Sequence, residues 1–288
     1  MRVVVTGGTG FIGGAVVEEL RRRGHDAVAA SRHGDVRVDV GDPPGLRGAF
    51  EGAGAIVNCV QFTNYPIENA RKGRTFDEVD RKGTESQVGA ARDAGVARFL
   101  YLSGAGADPR GPKHWFRAKG AAEAAVRGSG LSHFVLRPSW VFGPRDVALN
   151  RFVPLARLPL MPVIGPGTQR LEPVFVRDVA WAFGEALDRG TEGTFEIGGP
   201  ERLTMDDVER TLLRVLGRRR RLVHVPAGMI RTAARALAHA PGPPLTPDAV
   251  EFLLNDALAD TAPLVAALPG LPRTRLEDGL ASYVRRRK

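Results

Sequence analysis

Two rhythms of apolar residues alternate through the first half of the chain. Short β-rich runs occur at RVVVT (2–6), DAVAAS (26–31), VRVDV (36–40), GAIVNCV (54–60), RFLYLS (98–103) and HFVLRPS (133–139). Between them lie stretches with helical spacing, such as FIGGAVVEELRRRG (11–24) and TESQVGAARDAGV (84–96). The strand runs are nearly continuously apolar, as expected when helices cover both faces of a parallel sheet. Strand alternating with helix implies βαβ units and an α/β, doubly wound fold.

The texture changes after Val141. Residues 143–173 carry six prolines and few strand signals, which suits loops wrapping a ligand. The α/β pattern returns at VFVRDVAWAFGEAL (174–187) and GTFEIGG (193–199). Helical patterns follow at 204–217, 227–240 and 246–258, with APGPPLTP (240–247) as a stiff connector. The expected organisation is a parallel-sheet domain of residues 1–142 and 174–199. A smaller, mostly helical C-terminal lobe, residues 143–173 and 200–288, is interleaved with it and would shape a substrate or partner surface.

Composition narrows the class. Of 288 residues, 43% are hydrophobic and 25% charged, the balance of an ordinary globular protein. The net charge of +9 would suit a nucleic-acid binder, but the 41 basic residues are scattered. Only RRRGH (21–25), GRRRRL (217–222) and YVRRRK (283–288) cluster, each at an expected helix end, where solvated cations favour the dipole. No basic stripe with stacking aromatics appears, so nucleic acid is not an expected partner. One cysteine, Cys59, excludes an internal disulfide and reads as a core thiol. The six histidines lack metal-ligand spacing. A strand beginning at Arg2 leaves no room for a signal peptide, and no run approaches the ~20 apolar residues of a membrane span. A metal-free, cytoplasmic protein is the expectation, with oligomeric state open.

Candidate chemistry begins at VVVTGGTGFIGGAVVEEL (3–20), a strand, a glycine-rich turn and a helix. Gly8, Gly10 and Gly13 fit G-x-G-x-x-G, and Gly7, Gly10 and Gly13 fit the wider TGxxGxxG form. Such glycines permit a tight turn, close approach of a pyrophosphate and tight helix packing, while the helix N-terminus favours the anion. At the end of the second strand, where an acidic residue would select NAD, the chain has Ser31 and Arg32. A guanidinium suits a 2′-phosphate, so NADP(H) is expected over NAD(H).

Together with GVARFLYLSGAGA (95–107), residues 116–144, EPVFVRDVAWA (172–182) and FEIGGPERLTMDDV (195–208), these motifs resemble the extended and atypical short-chain dehydrogenase/reductases of the NAD-dependent epimerase/dehydratase type. Within that superfamily the pattern is most similar to the branch containing the nucleotide-binding accessory subunit of respiratory complex I. The resemblance implies an NAD(P)-binding Rossmann fold. It places Phe11 and Ile12 of the glycine motif on the cofactor, Asp39 and Val40 near the adenine, and Pro138 beside the nicotinamide. It also implies a catalytic serine after the fifth strand and a Tyr-xxx-Lys helix. Ser103 matches the serine and Lys119 the lysine, but Trp115 stands at the tyrosine position. Asp80 occupies a place where asparagine is common, and Asp178 has a structural role.

Indole carries no proton suited to acid–base work near neutral pH. Lys119 remains available for a cofactor ribose, and Ser103 for a substrate carbonyl. His114 is the nearby side chain suited to proton exchange. Trp115 and Trp140 are candidate pocket walls. Three readings stay open: an NADP(H)-dependent reductase of a carbonyl- or quinone-type small molecule with a rebuilt proton path, a non-catalytic NADP(H)-binding protein that stabilises or regulates a protein partner, and an epimerase or dehydratase.

Overall fold

The structure is a computed structural model and describes residues 1–237 and 246–284. Its centre is a seven-stranded sheet whose paired strands all run parallel. The strands are β1 (Arg2–Thr6), β2 (Asp26–Ser31), β3 (Val36–Arg37), β4 (Ala55–Asn58), β5 (Arg98–Leu102), β6 (Ser132–Pro138) and the late strand Gly193–Ile197. Their spatial order is β3-β2-β1-β4-β5-β6, closed at the edge by Gly193–Ile197. Strand order therefore reverses between β1 and β4, the place where open α/β sheets form a ligand crevice.

The sheet is buried from both sides. On one face α2 (Pro43–Phe50), α3 (Gly83–Asp93) and α4 (His114–Arg127) bring Leu46, Phe50, Val88, Ala91, Ala122 and Val126 against Val4, Ile56, Phe99 and Val135. On the other, α1 (Phe11–Arg22) packs against the helix Val176–Arg189. Val16 and Leu20 lie one helical turn apart, so α1 presents one apolar stripe.

The basic cluster at 21–25, expected to be solvated, is partly tied down instead. Arg21 and Arg22 sit in the last turn of α1, but the Arg23 side chain is only 11% exposed. Its guanidinium pairs with Glu19 at 2.7 Å, Glu185 at 2.8 Å and Asp188 at 2.7 Å. His25 meets the same Asp188 at 2.8 Å. Three carboxylates around one guanidinium offset its desolvation, so Arg23 clasps α1 to Val176–Arg189.

The chain divides into two compact units. The first comprises Met1–Pro138, Val176–Ile197 and Ala259–Pro272. Residues 259–272, assigned from the sequence to the C-terminal lobe, thus cluster with the sheet. The second unit comprises Ser139–Phe175, Gly198–Leu258 and Arg273–Lys288. It contains the helices Met205–Val215, Ala227–Leu237, Pro247–Leu254 and Leu276–Ala281. The first of these starts at a reciprocal cap between Thr204 and Asp207.

The proline-rich segment is more ordered than its composition suggests. Trp140–Phe142 pairs with Pro173–Phe175, Leu160–Ile164 with Arg221–Val225, and Arg170–Leu171 with Leu203–Thr204. These sheets are two-stranded, so every strand is an edge, where proline such as Pro162 is tolerated. Arg221 opens a strand, so the 217–222 cluster only begins at a helix end. Parts of the expected connector (240–247), of the helix 227–240 and of the basic run 283–288 lie outside the described residues. No helix among the described residues is long and apolar enough to cross a membrane.

Candidate functional site

The loop after β1 lies at the sheet's reversal point. Gly7 has φ +71, and a Cβ there would stand 2.5 Å from the Cys59 carbonyl oxygen beyond β4. A side chain at Gly13 would overlap the Gly7 carbonyl. Both positions keep backbone where bulk would otherwise fill the turn, so the loop forms a concave cradle. Gly10 is the N-cap of α1 and is exposed, with no side chain to satisfy the first-turn amides. Helix geometry leaves the N–H groups of Phe11, Ile12 and Gly13 without intrahelical acceptors. Oriented amides at a helix start suit a pyrophosphate, so the residues present fit a dinucleotide.

Ser31 closes β2 and links it to this loop. Thr9 Oγ1 donates to Ser31 Oγ at 2.9 Å, and the His33 amide donates to the same oxygen at 3.1 Å. Arg32 is exposed and reaches Thr63 Oγ1 at 3.3 Å. Arg37, in register beside Ser31 on β3, brings a second exposed guanidinium to the same strand ends. The strand periodicity gave no reason to single it out. The Asp39 carboxylate accepts from Gly41 N at 3.0 Å in a local turn. Val40 packs where a Cβ on Gly83 would press, at the start of α3. Pro138 ends β6, and its carbonyl accepts from Ala105 N at 3.0 Å.

The other half of the site is built on α4. Trp115 and Lys119, one turn apart, are both buried. Facing them is a wide-turn π-helical segment, Phe76–Lys82, that runs into α3. Phe76 and Asp80 point from it into the protein. Asp80 Oδ1 lies 2.7 Å from Lys119 Nζ, and the side chains are 0% and 9% exposed. Lys119 also donates to the Leu102 carbonyl at 3.3 Å and sits 5.3 Å from the Tyr101 ring centroid. Burial works against its charge, but Asp80, Tyr101 and Tyr65 outweigh burial and hold the pKa above the ordinary lysine value. Lys119 thus sits in a buried ion pair with Asp80 and donates to the backbone at Leu102.

Ser103 ends up in different company. Its hydroxyl donates to Glu123 Oε1 at 2.6 Å. Glu123 is fully buried and holds Arg137 through two contacts of 2.8 and 2.6 Å, with Arg127 at 2.9 Å. A hydroxyl has one proton, and here it goes to a carboxylate. Trp115, 4% exposed, packs edge-on against His114 and Phe116 at 5.1 and 5.7 Å and lies 6.3 Å from Phe76. Trp140 opens a strand of the second unit. Asp178 is buried in the first turn of Val176–Arg189.

His114 opens α4, and its Nε2 stands 2.8 Å from Glu68 Oε2. Glu68 Oε1 accepts from the Phe76 amide at 2.7 Å. Glu68 lies 46 positions upstream in a loop with no strand or helix signal, and the sequence alone did not mark it. Tyr65 from that loop joins Phe62 and Phe76 in the aromatic cluster, and burial raises its hydroxyl pKa.

With this geometry established, comparison with known proteins assigns the class. Residues 3–198 match the model of the NAD dependent epimerase/dehydratase family, and the chain belongs to that family. It is similar to NADH dehydrogenase [ubiquinone] 1 alpha subcomplex subunit 9, mitochondrial, of Arabidopsis thaliana, 27% identical over 252 residues. That alignment covers 80% of this chain and 61% of the plant protein, less than two thirds of its length. It is also 27% identical over 288 residues to the ceramide reductase of Caulobacter vibrioides, covering 93% of this chain and 89% of that one. Among solved structures, a Thermus thermophilus UDP-glucose 4-epimerase in complex with NAD superposes with a TM-score of 0.77 at 22% identity. It covers 98% of this chain and 97% of the epimerase, a likeness of fold.

Proposed function

We propose that the chain is an NADP(H)-dependent reductase of a carbonyl- or quinone-type small molecule, acting in the cytoplasm. The carrying observation is the backbone cradle of Gly7 and Gly13 at the sheet's reversal point, with Arg32 beside it. In this reading Gly7, Gly10, Phe11, Ile12 and Gly13 hold the pyrophosphate through backbone, and Ser31 and Arg32 take the 2′-phosphate. Asp39 and Val40 border the adenine, Pro138 lines the nicotinamide through its backbone, and the Lys119 ammonium donates a hydrogen bond to the ribose. Trp115 forms an apolar wall for substrate. The bound dinucleotide supplies hydride, and the chain supplies position and a dry, charged surrounding. Ser103 contributes by anchoring Glu123. The full-length likeness to the Caulobacter ceramide reductase supports reductase chemistry.

The test is calorimetric titration with NADPH, NADP+, NADH and NAD+. NADPH binding at least about tenfold tighter than NADH, about 1.4 kcal/mol, is the expected result. Equal or tighter NADH binding overturns the NADP(H) assignment.

A second reading, a non-catalytic dinucleotide-binding protein that stabilises a partner, draws on the commitment of Lys119 to Asp80 and Ser103 to Glu123. The likeness to the complex I subunit agrees with it. It predicts intact NADPH binding, no turnover across a broad carbonyl and quinone panel, and a stable partner in pull-downs.

A further inference from the structure

We propose that the Glu68–His114 pair replaces the missing phenol, with His114 as the catalytic acid and Glu68 as the residue that positions it. This deepens the reductase reading and rests on it. The pair has the parts a proton donor needs. Glu68 is fixed at both oxygens, one taking the Phe76 amide at 2.7 Å and the other facing His114 Nε2 at 2.8 Å. The imidazole is thereby held by a carboxylate at one nitrogen, which fixes its orientation and its tautomer. Nδ1 has no hydrogen-bond partner among the described residues and is the nitrogen free to exchange a proton.

Position agrees with the role. His114 immediately precedes Trp115 on α4, and its ring stands edge-on to Trp115 at 5.1 Å and to Phe76 at 5.6 Å. Glu68 holds the amide of Phe76, on the same π-helical segment that carries Asp80, the partner of Lys119. Unlike Lys119, His114 is 39% exposed on its side chain, so solvent can recharge it.

The step balances. With a bound reduced nicotinamide, which would supply hydride for the new C–H bond, His114 meets the charge that develops as the carbonyl π pair moves to oxygen. The Nδ1–H bond of the imidazolium breaks as the O–H bond forms. The products are an alcohol and oxidised dinucleotide, and water returns the proton to His114. Lys113 precedes it and lies over Trp115 at 5.8 Å, Asp80 is paired with Lys119, and Arg117 turns to the Gly111 carbonyl. On the π-helical segment, Asp77 and Glu78 pair with Arg81 and Lys82.

Two measurements test the pair. Imidazole 15N NMR, assigned with His114→Gln, reads the His114 tautomer in the wild-type protein and in Glu68→Gln. Loss of the carboxylate is expected to redistribute the proton between Nδ1 and Nε2 and shift both resonances. Unchanged nitrogen shifts overturn the positioning role. NADPH oxidation by 9,10-phenanthrenequinone, a dicarbonyl probe, then reports the proton. His114→Gln is expected to lower kcat about 100-fold with NADPH affinity unchanged. In Glu68→Gln kcat falls as well, with NADPH affinity unchanged. Full turnover by His114→Gln with an unaltered pH profile overturns the proposal and leaves the reductase reading standing. No turnover in the wild-type protein, with NADPH bound, overturns the proton step and counts against the reductase reading. NADPH affinity also serves as the check that each variant folds.

Discussion

The two ends of the candidate site are built on opposite principles. At the β1–α1 turn the chain presents backbone, with no bulk at Gly7 or Gly13 and first-turn amides left for a ligand. Around α4 it presents side chains that already hold partners within the chain: Lys119 with Asp80, Ser103 with Glu123, and Trp115 with aromatic neighbours. The first end leaves its amides to an anion. The second has partners of its own before any ligand arrives. The difference teaches that family likeness in the cofactor motif and in the catalytic motif are separate matters, because one resides in backbone shape and the other in side-chain partners.

The sharpest way to break this contrast is to unpair Lys119. Asp80→Asn leaves a buried ammonium uncompensated and is expected to cost about 3–5 kcal/mol in denaturant unfolding. Adding Lys119→Met should recover much of that loss; a cost below about 1 kcal/mol for Asp80→Asn alone would show that the pair does not hold α4. At the other end, Gly13→Ala pushes a methyl group into the Gly7 carbonyl, and NADPH affinity should fall about 100-fold or more, roughly 2.7 kcal/mol. Retention of affinity in that variant would mean that the cradle is not the ligand's seat.

A smaller effect is expected from Trp115→Tyr. The phenol restores the family's motif on paper, yet Lys119 stays bound to Asp80. Turnover of the dicarbonyl probe should therefore change less than about threefold, with about 1–2 kcal/mol lost to poorer packing. A large gain in kcat would show that the lysine is freer than its pairing indicates. Of similar size is Arg32→Ala, where loss of one exposed guanidinium should weaken NADPH about tenfold and leave NADH unchanged. If both dinucleotides weaken equally, Arg32 acts on the shared part of the cofactor.

What could be read from the sequence follows the same division. The strands of the parallel sheet were legible because burial on both faces leaves runs such as RVVVT and RFLYL apolar throughout. The cradle was legible because its chemistry is local, with all its glycines within seven positions. The absence of the phenol was visible at Trp115 for the same reason. The partners were not. Glu68, Asp80 and Glu123 reach His114, Lys119 and Ser103 across 46, 39 and 20 positions, and no periodicity encodes such pairings. Asp80 alone gave a hint, as a departure from the asparagine usual in its motif. In the second unit, Pro162 and Pro173 disguised two strands, because edge pairing removes the penalty that proline carries inside a sheet.

The Arg23 clasp has a consequence for the order in which the protein is made. Residues of α1 leave the ribosome long before Glu185 and Asp188, which receive Arg23 together with its neighbour Glu19. Residues 23–175 must all be synthesised before α1 acquires the helix that covers it. Until then the glycine turn hangs on a helix with one bare apolar stripe. A fragment ending at residue 175 should accordingly show fast amide exchange throughout α1, while the full chain protects Val16 and Leu20. The dinucleotide cradle is thus the first part of the site to be translated and among the last to become rigid.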